Sequence, residues 1–377
     1  MNKKILFFIS EDWFFCSHFI ERAVAARDAG YEVVVVAHEK SHGHHIRSAG
    51  LKLIPIAFDR RSINPLRELW LLQFVYRIYA QERPDIVHHI AAKPIFYGTC
   101  VARLLGISSV VNAPVGMGYA FSSSDAKARL LRPFVQMAYR LWLNPRGGRV
   151  IFENEHDLNA FVRSGAARRA DTVLIRGAGI NLGALKPHPE PTGVPVVVLI
   201  ARMLRDKGVM EFLGAAEQLH ATGTKARFVL VGEPDPGNPA SISAETLQSW
   251  NGRCSVECWG WRDDIAKVLM QAHIVCLPSY REGLPKSLLE AAACGLPIVT
   301  TDAIGCRDVV TDGYNGYLVP VKETNALAAA LQKLIVSPDL RRSMGQKGRM
   351  RAEVEFSSDR VIAETLAVYA QISAVTT

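Results

Sequence analysis

The sequence predicts an α/β protein built on two doubly wound parallel sheets. Short apolar runs alternate with longer helical patterns along the whole chain, which is typical of parallel strands covered by helices. A chain of 377 residues is too long for one ordinary hydrophobic core. A stretch rich in proline and glycine, residues 183–195, separates two series of elements and predicts a linker between two domains.

The first series of elements precedes this linker. Its strand-like runs fall at residues 4–9, 32–37, 51–56, 85–89, 108–112, 149–153 and 172–175. Its helical patterns fall at residues 14–29, 65–81, 94–105 and 126–143. The first run has only the length of a strand and is followed by Glu11 and Asp12, so we interpret it as a strand and not as an export signal.

The second series follows the linker and repeats the alternation. Its strand-like runs fall at residues 195–200, 226–232, 254–259, 273–278, 296–301 and 316–319. Its helical patterns fall at residues 207–221, 263–271, 285–294, 323–336, 338–353 and 358–373. In such sheets ligands bind at the carboxyl ends of the strands, so polar residues that follow strands are candidate site residues.

Residues 279–295, SYREGLPKSLLEAAACG, carry two carboxylates eight positions apart, Glu282 and Glu290. Pro285 suits the first turn of a helix, and Gly295 suits its exit. Eight helical residues span about 12 Å, more than the roughly 5–10 Å between the paired acids of a glycosidase. This spacing favours an extended ligand gripped at two ends, with phosphates held at the helix N-terminus.

A second motif lies in residues 196–212, VVVLIARMLRDKGVMEF, where Arg202 and Lys207 follow a strand and precede a helix. Two cations at a helix N-terminus can neutralise a diphosphate leaving group, and such preorganised charge is often the largest catalytic contribution. The motif therefore predicts a second part of the same anion site.

Together the two motifs resemble the donor-site signatures of glycosyltransferase family 4, the retaining glycosyltransferases of GT-B fold. The resemblance implies two Rossmann-like domains that face each other across a cleft. Residues 1–182 would bind the acceptor, and residues 196–357 would bind the nucleotide sugar, with the linker 183–195 between them. The last helix, residues 358–373, would pack back on the first domain.

The resemblance also implies a role for each motif residue. Arg202 and Lys207 would clamp the diphosphate, and Glu282 would contact the sugar hydroxyls. These three are the predicted catalytic residues. The predicted donor-binding residues are Gly283, Leu284, Lys286 and Glu290, the last of which would bind the ribose. The donor would be a nucleoside-diphosphate sugar, most simply a UDP sugar, and the anomeric configuration would be retained.

The first domain departs from the family pattern. Many members have a Gly-rich loop after the first strand, where this chain has SEDWFFCSHF, residues 10–19. Many also carry a histidine after the fifth strand, where this chain has Ala113-Pro114-Val115, and this departure argues against a histidine contact with the donor sugar. The candidate acceptor-binding residues are polar side chains at or near strand ends: Ser10, His18, His89 and Lys93.

Three segments of the first domain are similar to the subgroup that builds bacterial polysaccharides and lipid-linked oligosaccharides. They are residues 85–98, 110–123 and 152–161. The similarity implies a polyprenyl-diphosphate-linked saccharide as acceptor, and Lys93 could pair with its phosphate.

The basic excess of the chain lies in its first half. Residues 1–190 hold 25 lysines and arginines against 16 aspartates and glutamates, whereas the remainder holds 19 against 20. Two helical patterns, residues 65–81 and 128–146, mix arginines with Trp, Phe and Leu as interfacial membrane helices do. We therefore expect a cytoplasmic protein on the inner membrane surface, although an ordinary sheet-covering helix explains residues 65–81 equally well. Nothing resembles a nucleic-acid reader.

Other classes of function find less support. The seven cysteines are scattered without a zinc-type spacing and are expected to be buried thiols in a reducing compartment. No metal cluster is apparent, so no metal or other cofactor is expected. A dehydrogenase would need G-x-G-x-x-G after the first strand, which is absent. A UDP-sugar epimerase of similar shape and a non-catalytic subunit of a membrane transferase complex remain as alternatives.

Overall fold

The protein divides into two compact units. The structure, a computed structural model, describes residues 3–57, 64–115 and 126–374. Unit 1 comprises Met1–Ala178 and Asp359–Thr377, and unit 2 comprises Gly179–Ser358. Each unit has one parallel sheet with buried apolar clusters on both of its faces. The predicted class, two doubly wound α/β sheets, is therefore confirmed.

The sheet of unit 1 has seven parallel strands in the order β3-β2-β1-β4-β5-β6-β7. In chain order they are β1 (Lys4–Glu11), β2 (Glu32–His38), β3 (Lys52–Pro55), β4 (Ile86–Ile90), β5 (Val110–Ala113), β6 (Arg149–Phe152) and β7 (Thr172–Leu174). Each run predicted in the first half forms a strand. Because all strands are parallel, their carboxyl ends meet at one edge, to which β1 and β4 contribute neighbouring positions.

The helices of unit 1 cover both faces of this sheet. They are α1 (Asp12–His18), α2 (Ile20–Asp28), α3 (Gly43–Ser48), α4 (Pro65–Glu82), α5 (Ala92–Leu104), α6 (Ala126–Trp142) and α7 (Glu155–Arg163), together with the C-terminal helix of the chain. The single helix predicted over residues 14–29 is wrong, because Phe19 leaves helical dihedrals (φ −127°, ψ −14°) and its buried ring lies 5.9 Å from the His88 ring of β4. Residues 116–123 of the predicted subgroup segment lie outside the described residues.

The C-terminal helix completes the core of unit 1. Val368, Tyr369 and Ile372 are buried in the same apolar cluster as the first strand. The Tyr369 hydroxyl lies 2.7 Å from Nδ1 of His88, a fully buried residue of β4. The first and last parts of the chain therefore form one hydrophobic core.

The sheet of unit 2 has six parallel strands in the order β10-β9-β8-β11-β12-β13. They are β8 (Val196–Ile200), β9 (Arg227–Val231), β10 (Val256–Gly260), β11 (Ile274–Leu277), β12 (Ile298–Thr301) and β13 (Gly316–Val319). The order places β8, β11 and β12 next to one another at the centre. Their carboxyl ends carry both motifs that the sequence singles out.

The helices of unit 2 and the C-terminal helix include every predicted helix of the second series and two short helices that were not predicted. They are α8 (Val209–Ala221), α9 (Ala244–Trp250), α10 (Ile265–Leu269), α11 (Lys286–Ala293), α12 (Cys306–Val309), α13 (Thr324–Val336), α14 (Pro338–Glu355) and α15 (Ser358–Ala374). Pro285 is the residue before α11 and not in its first turn, whereas Gly295 follows the helix with a left-handed φ of +71°. The helices α9 and α12 were not predicted, since their seven and four residues are too short for a helical period to stand out in the sequence.

The proline-rich residues 183–195 lie within unit 2. Arg341 of α14 is 4% exposed and forms two hydrogen bonds with the Glu190 carboxylate, at 2.6 and 2.9 Å. It also donates to the carbonyls of Leu334 and Ile335. The His273 Nε2–H donates to the Pro191 carbonyl oxygen, 3.0 Å away, because Nδ1 of the same ring accepts from the Val196 N–H. These contacts hold the segment against α14 and the start of β11 in unit 2.

Arg341→Met should destabilise unit 2 by about 3 kcal/mol, because it leaves two carbonyls and a half-buried carboxylate without their donor. Arg342→Met is the matched control, since its guanidinium is 57% exposed and pairs on the surface with Asp339. Urea unfolding followed by tryptophan fluorescence would measure both. Equal stability of the two variants would contradict an anchoring role for Arg341.

Candidate functional site

Three loops meet at the carboxyl edge of the unit 2 sheet. They follow the central strands β8, β11 and β12 and comprise residues 201–208, 278–285 and 302–305. The first carries Arg202 and Lys207, and the second carries Glu282. Both predicted motifs therefore lie on neighbouring loops of one unit.

The loop after β8 is fastened to the loop after β11 through the main chain. The Asp206 carbonyl accepts hydrogen bonds from the Tyr280 N–H at 2.9 Å and from the Ser279 hydroxyl at 3.1 Å. Gly208 has φ +73°, and a Cβ atom there would collide with the Pro278 carbonyl. Only glycine fits at this contact, and the contact fixes the turn that carries Lys207.

The loop after β11 is fastened in the same way to the loop after β12. The Glu282 N–H donates to the Ile304 carbonyl at 3.0 Å. Gly305 has φ +81°, and a Cβ atom there would lie 2.6 Å from the Gly283 carbonyl oxygen. The backbone that presents Glu282 is thus set on both sides by its neighbours.

Lys207 and Glu282 form an ion pair. The ammonium lies 2.5 and 2.7 Å from the two carboxylate oxygens. Their side chains are only 17% and 12% exposed, so the pair is largely shielded from solvent. The structure therefore joins a predicted phosphate ligand to a predicted sugar ligand, a contact that the sequence did not reveal.

Arg202 lies on the same loop and pairs with an acid outside both motifs. Its Nη1 donates to Asp235 Oδ2 at 2.7 Å. Asp235 belongs to the loop after β9, which also accepts main-chain hydrogen bonds from Met203 and Arg205 through the carbonyls of Glu233 and Ala240. The sequence analysis missed Asp235, because only the sheet order brings β9 beside β8.

Helix α11 begins beside this pair. The N–H groups of its first turn have no carbonyl in a preceding turn, which favours an anion there. Leu284 is buried and anchors the turn, whereas Gly283 and Lys286 are partly exposed. Glu290 lies one turn further, with Lys286 Nζ 3.7 Å from its carboxylate and 12% of its side chain exposed. Burial raises the pKa of Glu290, and Lys286 opposes that rise.

Tyr280 and Ser279 support the site without having been predicted. The Tyr280 hydroxyl donates to Glu211 of α8 at 2.7 Å. Burial raises the pKa of this phenol most, and the hydrogen bond to Glu211 raises it further. Ser279 is fully buried and binds Asp206. Their position before the Glu-Gly-Leu-Pro turn was visible in the sequence, but their partners were not.

The candidate acceptor residues of unit 1 are only partly brought together. Ser10 lies at the end of β1 and Lys93 in the first turn of α5, which follows the neighbouring strand β4, so both are at the carboxyl edge. Lys93 Nζ is 3.0 Å from the Glu68 carboxylate of α4. His18 ends α1, about 10 Å along the helix from that edge, with its ring 4.2 Å from the Phe14 ring.

His89 lies in the core of unit 1, contrary to the prediction that it contacts an acceptor. It is fully buried, with Nδ1 2.8 Å from Asn112 Oδ1 and Nε2 3.0 Å from the Tyr79 hydroxyl. A Cβ atom on Gly98 would collide with its ring. Burial lowers the pKa of His89 to about 4. In β4 both neighbouring histidines point into the core, so His89 supports packing and offers no ring atom to an acceptor.

Further features concern metal, thiol and membrane chemistry. Within residues 3–57, 64–115 and 126–374, no three His, Cys, Asp or Glu side chains are arranged to hold a metal ion. The seven cysteines are free thiols, three of them buried and four half-buried. In the part of the chain that the structure describes, no helix combines the length and apolar character needed to span a bilayer.

Comparison with protein families identifies the class of the chain. A model described as "Glycosyl transferase 4-like" matches residues 4–153, and one described as "Glycosyl transferases group 1" matches residues 184–351. The chain therefore belongs to the glycosyltransferases that combine these two domains, and it is an enzyme of that class. The resemblance inferred from the two motifs is confirmed.

Two curated relatives match most of the chain. One is N,N'-diacetylbacillosaminyl-diphospho-undecaprenol alpha-1,3-N-acetylgalactosaminyltransferase of Campylobacter jejuni, 29% identical over 92% of this chain and 93% of the relative. Another is UDP-Gal:alpha-D-GlcNAc-diphosphoundecaprenol alpha-1,3-galactosyltransferase of Escherichia coli, 25% identical over 73% of this chain and 72% of the relative. The names of both relatives specify a diphosphoundecaprenol-linked saccharide.

Solved structures show the same fold. Sucrose-phosphate synthase from Thermosynechococcus elongatus superposes with a TM-score of 0.80 at 21% identity, covering 99% of this chain and all of that one (100%). HepE from Anabaena, solved with UDP and glucose, superposes with a TM-score of 0.79 at 18% identity, covering 97% and 100%. The predicted GT-B fold is confirmed.

Glu290→Gln should raise the free energy of unfolding at about pH 7.5, because it removes a buried negative charge. Burial raises the pKa of Glu290 above its value in the unfolded chain. Between those two values the folded chain binds more protons, so the stability contributed by Glu290 falls as pH rises through that interval. The gain should therefore shrink at about pH 4, where both states are protonated.

Glu353→Gln is the control for this effect, since its carboxylate is 50% exposed on α14 of the same unit. Thermal unfolding of both variants and the parent chain at the two pH values would measure the difference. A gain for Glu290→Gln that does not depend on pH would contradict the role of charge burial.

Proposed function

We propose that the chain transfers a hexose or N-acetylhexosamine from a UDP sugar to a polyprenyl-diphosphate-linked saccharide, with retention of anomeric configuration. The observation that carries the proposal is the Lys207–Glu282 pair beside the N-terminus of α11. Cationic side chains and helix amides suit a diphosphate, and carboxylates suit sugar hydroxyls. The relatives named above act on acceptors of this kind.

The departing diphosphate is the group on which negative charge grows. Lys207 and Arg202 lie on one loop, held by Glu282 and Asp235 in fixed directions. Charges that are already oriented need no rearrangement when the sugar bond breaks, so they stabilise the transition state more than the ground state. Because these cations supply the positive charge, we propose that no metal ion is needed.

Glu282 can accept hydrogen bonds from Lys207 and from the sugar at the same time. An ammonium has three N–H donors, and the contacts to Glu282 account for two. A third remains for a phosphate oxygen. A carboxylate has about four acceptor positions, so Glu282 can orient Lys207 and still accept hydrogen bonds from sugar hydroxyls. The pair would then remain intact during the reaction.

Glu290 would accept hydrogen bonds from the two ribose hydroxyls. Its carboxylate is largely buried, and Lys286 lies 3.7 Å away. A carboxylate in a shielded site binds a diol well, because water competes poorly there. Gly283 and Leu284 would contact the donor through their backbone N–H groups, in the loop just before α11.

The acceptor would attack from the side on which the diphosphate leaves, and the diphosphate would take its proton. This course follows from family resemblance and requires no protonating acid, since the donor bond is already activated. Unit 2 would hold the donor, and unit 1 would bind the acceptor, with Ser10 and Lys93 at its carboxyl edge. Because a polyprenyl acceptor resides in a bilayer, we propose peripheral attachment to the cytoplasmic face of the inner membrane.

A panel of nucleotide sugars with a polyprenyl-diphosphate-linked saccharide should yield one product that is heavier by a single hexose or N-acetylhexosamine. Mass spectrometry identifies the added sugar, and the anomeric coupling in the NMR spectrum reports its configuration. Transfer should persist in EDTA. An isomerised free sugar from donor alone would instead indicate an epimerase, and an inverted product would overturn the retaining course.

Lys207→Ala should raise the activation free energy by about 2–4 kcal/mol, which lowers kcat/KM on the order of 30- to 900-fold, because one oriented charge is lost in the transition state. Arg205→Ala removes an exposed cation from the same turn and should change kcat/KM by less than about tenfold. Initial rates under matched donor concentrations measure both. Near-parental turnover of Lys207→Ala would remove this residue from the mechanism.

A further inference from the structure

Helix α6 presents a stripe of large apolar side chains to solvent. The stripe consists of Leu130, Phe134, Met137 and Leu141, which are 72%, 71%, 54% and 51% exposed. Their spacing of four, three and four residues places them on one face of the helix. Tyr139, on the opposite face, is buried against Phe96 and Phe161. The helix is therefore apolar on its core side and on one solvent side.

Helix α4 adds a second group of exposed apolar side chains near its start. Leu66, Leu69 and Trp70 are 78%, 64% and 54% exposed, and the Trp70 ring stacks on Phe74 at 5.4 Å. Both α4 and α6 pack against α5, so all three lie on the same face of the unit 1 sheet. A helix that connects parallel strands begins at the carboxyl edge, so both exposed groups reach toward the edge that holds Ser10 and Lys93.

The charge of α6 indicates what covers this face. Its sequence contains four basic residues, Lys127, Arg129, Arg132 and Arg140, and no acidic residue. At the end of the helix, the Arg103 guanidinium lies 4.8 Å from the centre of the Trp142 ring. A basic helix without acidic residues that carries an exposed apolar stripe is typical of helices that lie in a bilayer interface. A second copy is disfavoured, because a symmetric contact would bring the two basic helices together.

We propose that the exposed apolar side chains of α4 and α6, here called the docking face, insert into an anionic lipid bilayer. The basic side chains of α6 bind the lipid phosphates, and the apolar stripe enters the acyl boundary. The biological purpose of this surface rests on the proposed function, since a polyprenyl-linked acceptor must be met at the bilayer. The binding itself needs neither donor nor acceptor.

Sedimentation with vesicles tests the docking face on the full chain. The chain should sediment with phosphatidylcholine vesicles that contain about 30% phosphatidylglycerol, more weakly with phosphatidylcholine alone, and less at high salt. Leu130→Gln with Phe134→Gln should weaken binding at least about tenfold, because two inserted side chains become polar. Met137→Gln with Leu141→Gln should act alike, which guards against a single poorly folded variant.

Met350→Gln with Val354→Gln is the matched control, since these side chains are 51% and 68% exposed on α14 of unit 2. It should bind vesicles like the parent chain. A parent chain that stays in the supernatant, or docking-face variants that bind normally, would overturn the proposal. The proposal would also be overturned if light scattering showed a dimer of the parent chain and monomers of the docking-face variants, because a second copy would then occupy the face.

Activity on a short-chain, water-soluble acceptor separates this proposal from the proposed function. The docking-face variants should keep the parental rate on that acceptor and lose rate on a vesicle-embedded one. Vesicle binding without any transfer activity would support the docking face and contradict the proposed function. Transfer activity without vesicle binding would contradict the docking face and support the proposed function.

Discussion

The interlocking of three main-chain loops is the constraint on which the candidate site of unit 2 depends. Gly208 lies against the Pro278 carbonyl, and Gly305 lies against the Gly283 carbonyl. At both contacts the absence of a side chain lets two backbones approach, so the loops after β8, β11 and β12 set each other's positions. Lys207 and Glu282 then meet because their backbones are fixed, and the ion pair is a result of that geometry and not its cause.

The two predicted motifs act as one charge-balanced unit. Taken separately, a lysine and a glutamate in a half-buried site would each carry an unfavourable desolvation cost. As a pair 2.5 Å apart they offset that cost before any ligand arrives, and they leave hydrogen-bonding capacity for phosphate and sugar. Glu290 differs, since burial raises its pKa and Lys286 compensates from a longer distance. Stability and the proposed ribose contact therefore make opposite demands on that carboxylate.

The sequence predicted what depends on local pattern. Apolar runs bounded by turn residues located each strand that the structure describes, and the Gly-Leu-Pro turn and the cations after β8 located the candidate site. It could not predict contacts that depend on which strands are neighbours, such as Asp235 with Arg202. It also misplaced His89, because in a strand buried on both faces a polar residue can point inward and bind Tyr79 and Asn112.

The position of α15 in the core of unit 1 has a consequence for synthesis of the chain. Val368, Tyr369 and Ile372 are buried in one apolar cluster with the first strand and its helices. A ribosome releases Gly179–Ser358 before those residues, so unit 2 has all its elements while unit 1 still lacks one. The part that is translated first is thus the last to finish folding, and until then one apolar face of its sheet lacks its covering helix.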